Sequence, residues 1–454
     1  MTLFEFPELC AAQLGLIFLS VIWMLRRNDE IPLLISTFLT YCGSYRYWAV
    51  TSGLSRGWVS LSNFGFPPID DQKALTALLF IIFGEICLIG FYMLFQRQHL
   101  PVWRITDTPF PLSPKWSNRI LMGGLFCMGV TLVARNQLVA LIRAGRSLGF
   151  QISAYLYLFP FALVGIATVV MCVWKFGGFR SIFSKAIALF ILASVASLTF
   201  APSGRFQFLG WLIAAGVIFS ANFRPHKRLV LLSTLAVVAI ALFATAGALR
   251  NTTNSVNLNQ AAWERAFSAE DANMLDGFVL LQEVYPDRLP FSLGMEHIEV
   301  LLRPIPRAIW PNKPVGGYMN KLGLIDANSG FTLGISPTLL GSFYAEGWLI
   351  GIAFFCFLYS YCIAKLVVYS TRLHPFAGVL IRAVICAALV PLLRAGDLPG
   401  IYAWIGMGFW PCFLVLWLNR HILSMPPQPL VSPYLIYSNP SGHPNYPEST
   451  FYRP

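Results

Sequence analysis

The sequence predicts an all-α fold: a polytopic membrane helix bundle of about eleven spans with one large external loop. Hydrophobic residues make up 56% of the 454 residues and charged residues only 11%, against roughly 45–50% and 25% in an ordinary soluble domain. Apolar runs of about 20 residues, each long enough to cross a hydrocarbon core of about 30 Å, recur along the chain. One such run suits a buried core helix; a series of them suits a membrane. The cations of the short loops also alternate from loop to loop, as the positive-inside bias requires.

The first run, "LCAAQLGLIFLSVIWML", follows Glu5 and Glu8 and precedes Arg26 and Arg27. A signal peptide has a basic start and a small-residue cleavage site, so this run reads as a retained anchor with its N-terminus outside. Further spans are expected near 31–50, 74–96, 120–142, 153–174, 182–200, 205–223 and 228–249, which completes an N-terminal membrane bundle over 1–249. Residues 250–335 form an external loop subdomain, and 336–420 carry the last spans near 347–368, 376–394 and 400–420. The tail, 421–454, is rich in Pro, Ser, Asn and Tyr and reads as a flexible cytoplasmic end. Arg26/Arg27, Arg97 to Arg119, Lys175/Arg180/Lys185, Arg224/Lys227/Arg228 and Lys365/Arg372 then share the inner side, with Arg143 and Arg146 opposed. The net charge of +12 is thereby explained by orientation in a membrane rather than by nucleic acid. The nine cysteines show no CxxC pair and no metal-ligand spacing; they fall in apolar spans and read as small core residues without disulfides.

The long loop is not low-complexity. Between Arg250 and Ser336 it holds nine of the chain's 20 acids. "NMLDGFVLLQEVYP" places Leu275, Phe278, Val279 and Gln282 at helical spacing, which predicts one apolar face with acids on the other. "GMEHIEVLL" predicts a second short helix. Pro304, Pro306, Pro311 and Pro314 predict an extended turn, because proline sets φ and turns the preceding residue away from helix. The expectation is a folded cap lying on the outer membrane surface.

Ionisable residues in or beside spans are Arg46, Glu85, Arg135, Arg205, Glu346, Arg382, Arg394 and Asp397. Each costs at least about 2.5 kcal/mol at mid-membrane, so each is either functional or held in a structural pair. Arg205, Arg394 and Asp397 fall at the outer side with Arg250, Arg303, Arg307 and Lys313. Such arginines suit a diphosphate, whose oxygens the guanidinium fork matches; anchoring to anionic headgroups is the alternative reading. Acid–base candidates outside are Asp271, Asp276, Glu283, His297, Glu299, Glu346 and Asp397, with His297 in "EHIE" expected on a solvated helix face. No Walker loop, GxGxxG, HExxH or GxSxG is present.

"PIPRAIWPNKP" followed by "SGFTLGISPTLLGSFYAEGWLIGI" resembles the signature of Wzy-type oligosaccharide repeat-unit polymerases, the family of O-antigen and enterobacterial common antigen polymerases. "SGRFQF" at 203–208 is similar to that family's glycine–arginine span start, and "LLRAGDLPG" resembles its late arginine–glycine–acid loop. The match runs from about residue 200 to 410; earlier residues share only the pattern of spans. The "AEGW" after "GSF" departs from the family's usual placement of the acid. The resemblance implies a GT-C-like bundle in the cytoplasmic membrane, working on its outer face without a metal, a nucleotide sugar or another cofactor. It implies transfer of a growing glycan from one undecaprenyl-diphosphate carrier to a repeat unit on a second, with a chain-length-determining co-polymerase and a flippase as partners. Arg205, Arg307 and Arg394 are then expected at the diphosphate, supported by Arg250, Arg303 and Lys313. Asp397, Asp276 and Glu346 are expected to orient or deprotonate the acceptor hydroxyl, and Trp310, Tyr318 and Asn320 to meet the sugar. An O-antigen ligase uses the same donor and typically one histidine. A flippase or transporter instead needs polar residues through the membrane depth and two related halves; here the polar residues read as concentrated at one face.

Overall fold

The computed structural model describes residues 3–60, 62, 65–96, 110–143, 158–200, 205–248, 264–269, 272–302, 305, 309–310, 321–322, 336–394 and 398–424; the side chains of 134–143, 205–207 and 246–248 lie outside that description. Among the described residues every regular element is helical. In chain order the helices are α1 (Pro7–Arg27), α2 (Ile31–Thr40), a π-helical turn (Tyr41–Tyr45), α3 (Arg46–Thr51), α4 (Asp71–Gln96) and α5 (Pro114–Arg143). There follow α6 (Leu158–Lys175), α7 (Ile182–Thr199), α8 (Arg205–Ser220) and α9 (Pro225–Ala248). The loop contributes α10 (Met274–Val284) and α11 (Met295–Leu302), and the chain continues as α12 (Leu339–Thr371), α13 (Pro375–Arg394), α14 (Leu398–Leu418) and α15 (Arg420–Leu423).

Nine of the described helices are long and apolar enough to cross a bilayer: α1, α4, α5, α6, α7, α9, α12, α13 and α14. This is the architecture of a multi-pass helical membrane protein. The two other expected spans take a different form. Residues 205–223 give the 16-residue α8, and 31–50 give α2, the π-turn and α3 run end to end.

Local chemistry sets the boundaries. Pro7 starts α1, where its missing N–H removes no helical bond, and Asn28 ends it in the left-handed region with its N–H on the Met24 carbonyl. Ser181 caps α7 by accepting from the Ser184 amide, and Thr338 caps α12 by accepting from Gly341. α6 and α13 form the centre, buried along most of their length. They are ringed by helices that leave Phe18, Phe126, Phe190 and Val237 exposed, as lipid-facing helices do. α6 meets α14 closely at Gly165, where a Cβ would collide with the Gly408 carbonyl oxygen. α4 and α12 form the most extensive helix pair, tied by Ser360 Oγ donating to the Leu88 carbonyl at 2.7 Å and by rings of Phe91 and Phe95 edge-on to Phe357.

α12 is not one helix. Trp348 has φ 56° and ψ −142°, a conformation that costs a non-glycine residue of order 1–3 kcal/mol. The rings of Phe343 and Phe355 lie 5.4 Å apart and those of Phe343 and Tyr359 4.8 Å, although twelve residues of straight helix span about 18 Å. The chain therefore reverses at Gly347–Trp348, and a short piece (339–346) lies antiparallel against the start of the long one (349–371). The short piece enters the bundle beside α4, where Leu340 fills the space opposite Gly84.

α10 attaches at one end, where Lys73 meets Glu283 at 2.8 Å and Arg288 donates to the Gly65 carbonyl; we call this the loop end. Arg394 and the start of α8 fall at the same end. At the opposite, tail end, Arg228 donates to the Asn28 carbonyl and the amide of His374 to Leu423.

The cap departs from expectation. α10 does not lie on the surface with its acids in water. Met274 to Leu281 are all buried, Asp276 among them, and Phe278 stacks on Phe80 of α4 at 6.1 Å. Apolar side chains on every face make the helix a wedge within the bundle rather than a lid.

Candidate functional site

At the loop end the backbone reversal brings Glu346 under α11. The amides of Ser292 and Leu293 donate to the Ala345 and Glu346 carbonyls at 2.9 and 3.0 Å, and the amide of Gly294 donates to Glu346 Oε2. Gly294, at φ 89°, turns the chain into α11. His297, one turn on, places Nδ1 2.9 Å from Glu346 Oε1 and Nε2 3.1 Å from the Tyr359 hydroxyl. Tyr402 of α14 donates to Tyr359 at 2.8 Å. The imidazole lies flat on Phe355, 4.1 Å between centroids and 2° between planes.

The hydrogen bonds define a direction. Because Tyr402 donates to Tyr359, the Tyr359 hydrogen is left for Nε2 of a neutral His297, which puts the ring proton on Nδ1 facing Glu346. Glu346 and Tyr359 are buried, while the His297 side chain is 21% exposed. The imidazole is thus the accessible member of a carboxylate-oriented pair, an arrangement that takes a proton from an incoming hydroxyl. Burial, together with the carboxylates of Glu296, Glu346 and Glu299, pushes the nearby Tyr285 phenol up to about 12.

This placement corrects the sequence reading of His297. Its flanking acids suggest a solvated face, yet Glu296 is 2% and Glu299 6% exposed, and the ring is stacked and bonded. Tyr359 and Tyr402 were missed because each reads as one more apolar residue of a span. The available signal was that His297 is the single histidine of the 250–335 loop.

Of the other expected site residues, Asp276 is fully buried against Arg46, Nε to Oδ2 and Nη2 to Oδ1 both 3.1 Å, and also accepts from the Val59 amide at 2.8 Å. Arg46 further donates to Ser55 Oγ and the Gly57 carbonyl. The group locks α10 to α3 and the chain that follows it. Arg205 opens α8 and Arg394 closes α13, two helices packed together with these residues at the loop end. Trp310 is 38% exposed. Arg250, Arg303, Arg307, Lys313, Tyr318, Asn320 and Asp397 lie outside the described residues.

The tail end holds a second charged group. Arg382 meets Asp29 at 3.1 Å and Glu30 at 2.6 Å, and Arg228 meets Glu30 at 2.9 Å. Tyr92 and Trp23 donate to Asp29. Burial alone would raise Glu30, but Arg228 and then Arg382 hold its carboxyl below the ordinary range. Polar groups also occur inside the bundle, at Gln13, Thr40, Ser44 and Glu85, so they are not confined to one face as the sequence suggested.

An apolar cavity of about 200 Å³ lies among α2, α8, α9 and α13, lined by Phe38, Leu209, Leu235, Phe243 and Val390 among others, with Glu30 and Arg265 in its wall. It does not reach His297. Among the described residues no group of three or more His, Cys, Asp or Glu is placed to hold a metal ion. Compared with known proteins, the chain matches no family model, no curated protein and no solved structure.

Proposed function

We propose that the chain is a membrane glycosyltransferase that polymerises undecaprenyl-diphosphate-linked repeat units on the outer face of the cytoplasmic membrane. The observation that carries this reading is the His297–Glu346 pair at the loop end, joined through Tyr359 to Tyr402. Tyr402 stands little more than a turn from the start of α14, the helix that follows Arg394 and Asp397 in the sequence. An oriented base is thereby linked to the helix that follows the sequence resembling the polymerases' arginine–glycine–acid loop. On this reading the loop end is the outer face, the α2–α3 run and α8 each cross, and eleven crossings make a GT-C-like bundle.

The acceptor hydroxyl displaces Tyr359 from His297 and yields its proton to Nε2, while Glu346 stabilises the resulting imidazolium. The acceptor oxygen bonds to the anomeric carbon as the bond to the carrier diphosphate breaks. The charge then gathers on the diphosphate, where Arg205, Arg307 and Arg394 receive it with Arg250, Arg303 and Lys313 beside them. Asp397 is the second candidate base. Asp276, already accepting from Arg46 and Val59, positions α10. The apolar cavity suits the carrier's hydrocarbon rather than its sugar. Trp310, Tyr318 and Asn320 are assigned to the sugar rings.

The test is the glycan size ladder of a deletion strain complemented with wild type, His297→Ala, Glu346→Gln or Arg307→Ala at matched protein levels. Collapse to single repeats, restored by wild type alone, is the expected result, and an unchanged ladder would overturn the reading. The positioned histidine also favours a second reading, an O-antigen ligase; long polymer left on its carrier would select it.

A further inference from the structure

Away from both ends, α1, α2, the π-turn and α4 bring polar side chains together inside the bundle. Gln13 Nε2 donates to Thr40 Oγ1 at 2.6 Å and to Glu85 Oε2 and Oε1 at 3.1 and 3.2 Å, and Ser44 Oγ donates to Gln13 Oε1 at 2.9 Å. Ser36, Thr40 and Ser44 recur every fourth residue, which aligns their hydroxyls along one helix face. The Ser36 hydroxyl lies beside Glu85, fully buried, and completes no hydrogen bond of good geometry among the described residues. Glu85 is itself 0% exposed. It stands roughly 21 Å along α4 from Asp71, just past the midpoint of that helix.

Glu85 has no cationic partner among the described residues. Arg46 of α3 and Asp276 of α10 are paired with each other, and Arg228 and Arg382 with Asp29 and Glu30. Around α4, the Cys356 thiol of α12 donates to the Gly84 carbonyl, Tyr344 donates to the Tyr285 carbonyl, and Cys10 of α1 donates to Leu3. Cys42 of the π-turn packs with Ala269, Ala272 and Met274. None of these groups bonds to Glu85. A bare carboxylate in an apolar interior is costly enough that a compensating positive charge must accompany it.

We propose that Glu85, with Ser36, Thr40, Ser44 and Gln13, forms a site for a monovalent cation, a proton or a sodium ion, in the interior of the bundle. The donors are all hard oxygens: a carboxylate, three hydroxyls and, after a half-turn of its amide, the Gln13 carbonyl. They carry one negative charge together, so a monovalent ion neutralises the site, whereas a divalent ion leaves a surplus charge buried. The unsatisfied Ser36 hydroxyl is the coordination position the present hydrogen bonds do not fill. Occupancy has a route to the loop end. The π-turn that carries Ser44 also carries Tyr41 and Tyr45, which donate to the carbonyls of Ala266 and Phe267, and Arg46 follows directly. π-turns within helices frequently mark functional positions.

The experiment labels the purified full-length chain in detergent with a lipophilic carbodiimide, which adds to a protonated carboxyl as an N-acylurea, and follows the Glu85 peptide by mass spectrometry. Labelling is expected to fall as pH rises from about 5 to 9. If sodium is the occupant, saturating sodium at fixed pH slows it about tenfold while potassium and choline do not; pH sensitivity without that protection assigns the site to a proton. In the sodium case Ser44→Ala retains the label and loses the protection, which keeps the test open even if the Glu85→Gln control does not fold. A Glu85 that stays unlabelled throughout while surface carboxyls react, or one that labels at a rate indifferent to pH and sodium, would overturn the proposal.

Discussion

Two groups of charged side chains occupy opposite ends of the bundle, and they are built differently. The tail-end group sets Arg228 and Arg382 against Asp29 and Glu30, two cations to two carboxylates, all within 4% of full burial. The loop-end group sets Glu346 against a histidine that stays partly exposed and hands its second nitrogen to a tyrosine. The first is closed and electrically balanced, so it fixes the α1–α2 turn against α9 and α13. The second carries an accessible imidazole that its carboxylate orients. On the proposed reading, charge in this bundle serves structure where it is sealed and matched, and chemistry where it is oriented and left open.

Mutation breaks that comparison in graded steps. The largest expected effect is on the polymerisation proposed above: His297→Ala and Glu346→Gln are each expected to lower it by about 10²–10⁴-fold per folded molecule, read from the glycan ladder at matched expression. Equal losses in single and double variants would mark the two residues as one unit. Next is a stability effect at the tail end. Arg382→Ala leaves two buried carboxylates with one cation and costs about 3–5 kcal/mol, seen as a lower melting temperature in detergent, with turnover of the surviving folded fraction unchanged. Asp276→Asn unlocks α10 from Arg46, and we expect faster protease cleavage within 264–302 before any change at the tail end. Smallest is Tyr402→Phe, which removes one hydrogen bond worth about 0.5–1.5 kcal/mol and shifts the pH dependence of activity more than its maximum.

The tail-end group also predicts a pH signature. Glu30 is held below its usual 4.5, so its stabilisation is fully present above that value and is lost only as pH falls through the lowered one. Glu30→Gln should flatten the acid limb of a melting-temperature profile and leave the neutral limb parallel to wild type. A parallel acid limb would mean that Glu30 is not ionised in the fold.

Much of the fold was legible because hydrophobic period and run length report local, one-dimensional physics. The runs that became α1, α4, α13 and α14 could be read to within a few residues. The reversal at Gly347–Trp348 could not, since "YAEGWLIG" is as apolar as a continuous helix and the turn depends on what packs across it. Arg46 and Arg382 were readable as residues needing partners. Their partners, 230 and about 350 residues away, were not.

From the sequence alone follow the membrane, the helices, the basic alternation of loops and the residues too costly to bury singly, because solvent transfer acts on each segment by itself. Only the tertiary structure decides that Asp276 is a buried tie, that His297 stacks on Phe355 between Glu346 and Tyr359, and that Glu85 meets the neutral side chain of Gln13. Those outcomes depend on which helix faces which, and side-chain partnership across a bundle is set by packing rather than by position along the chain.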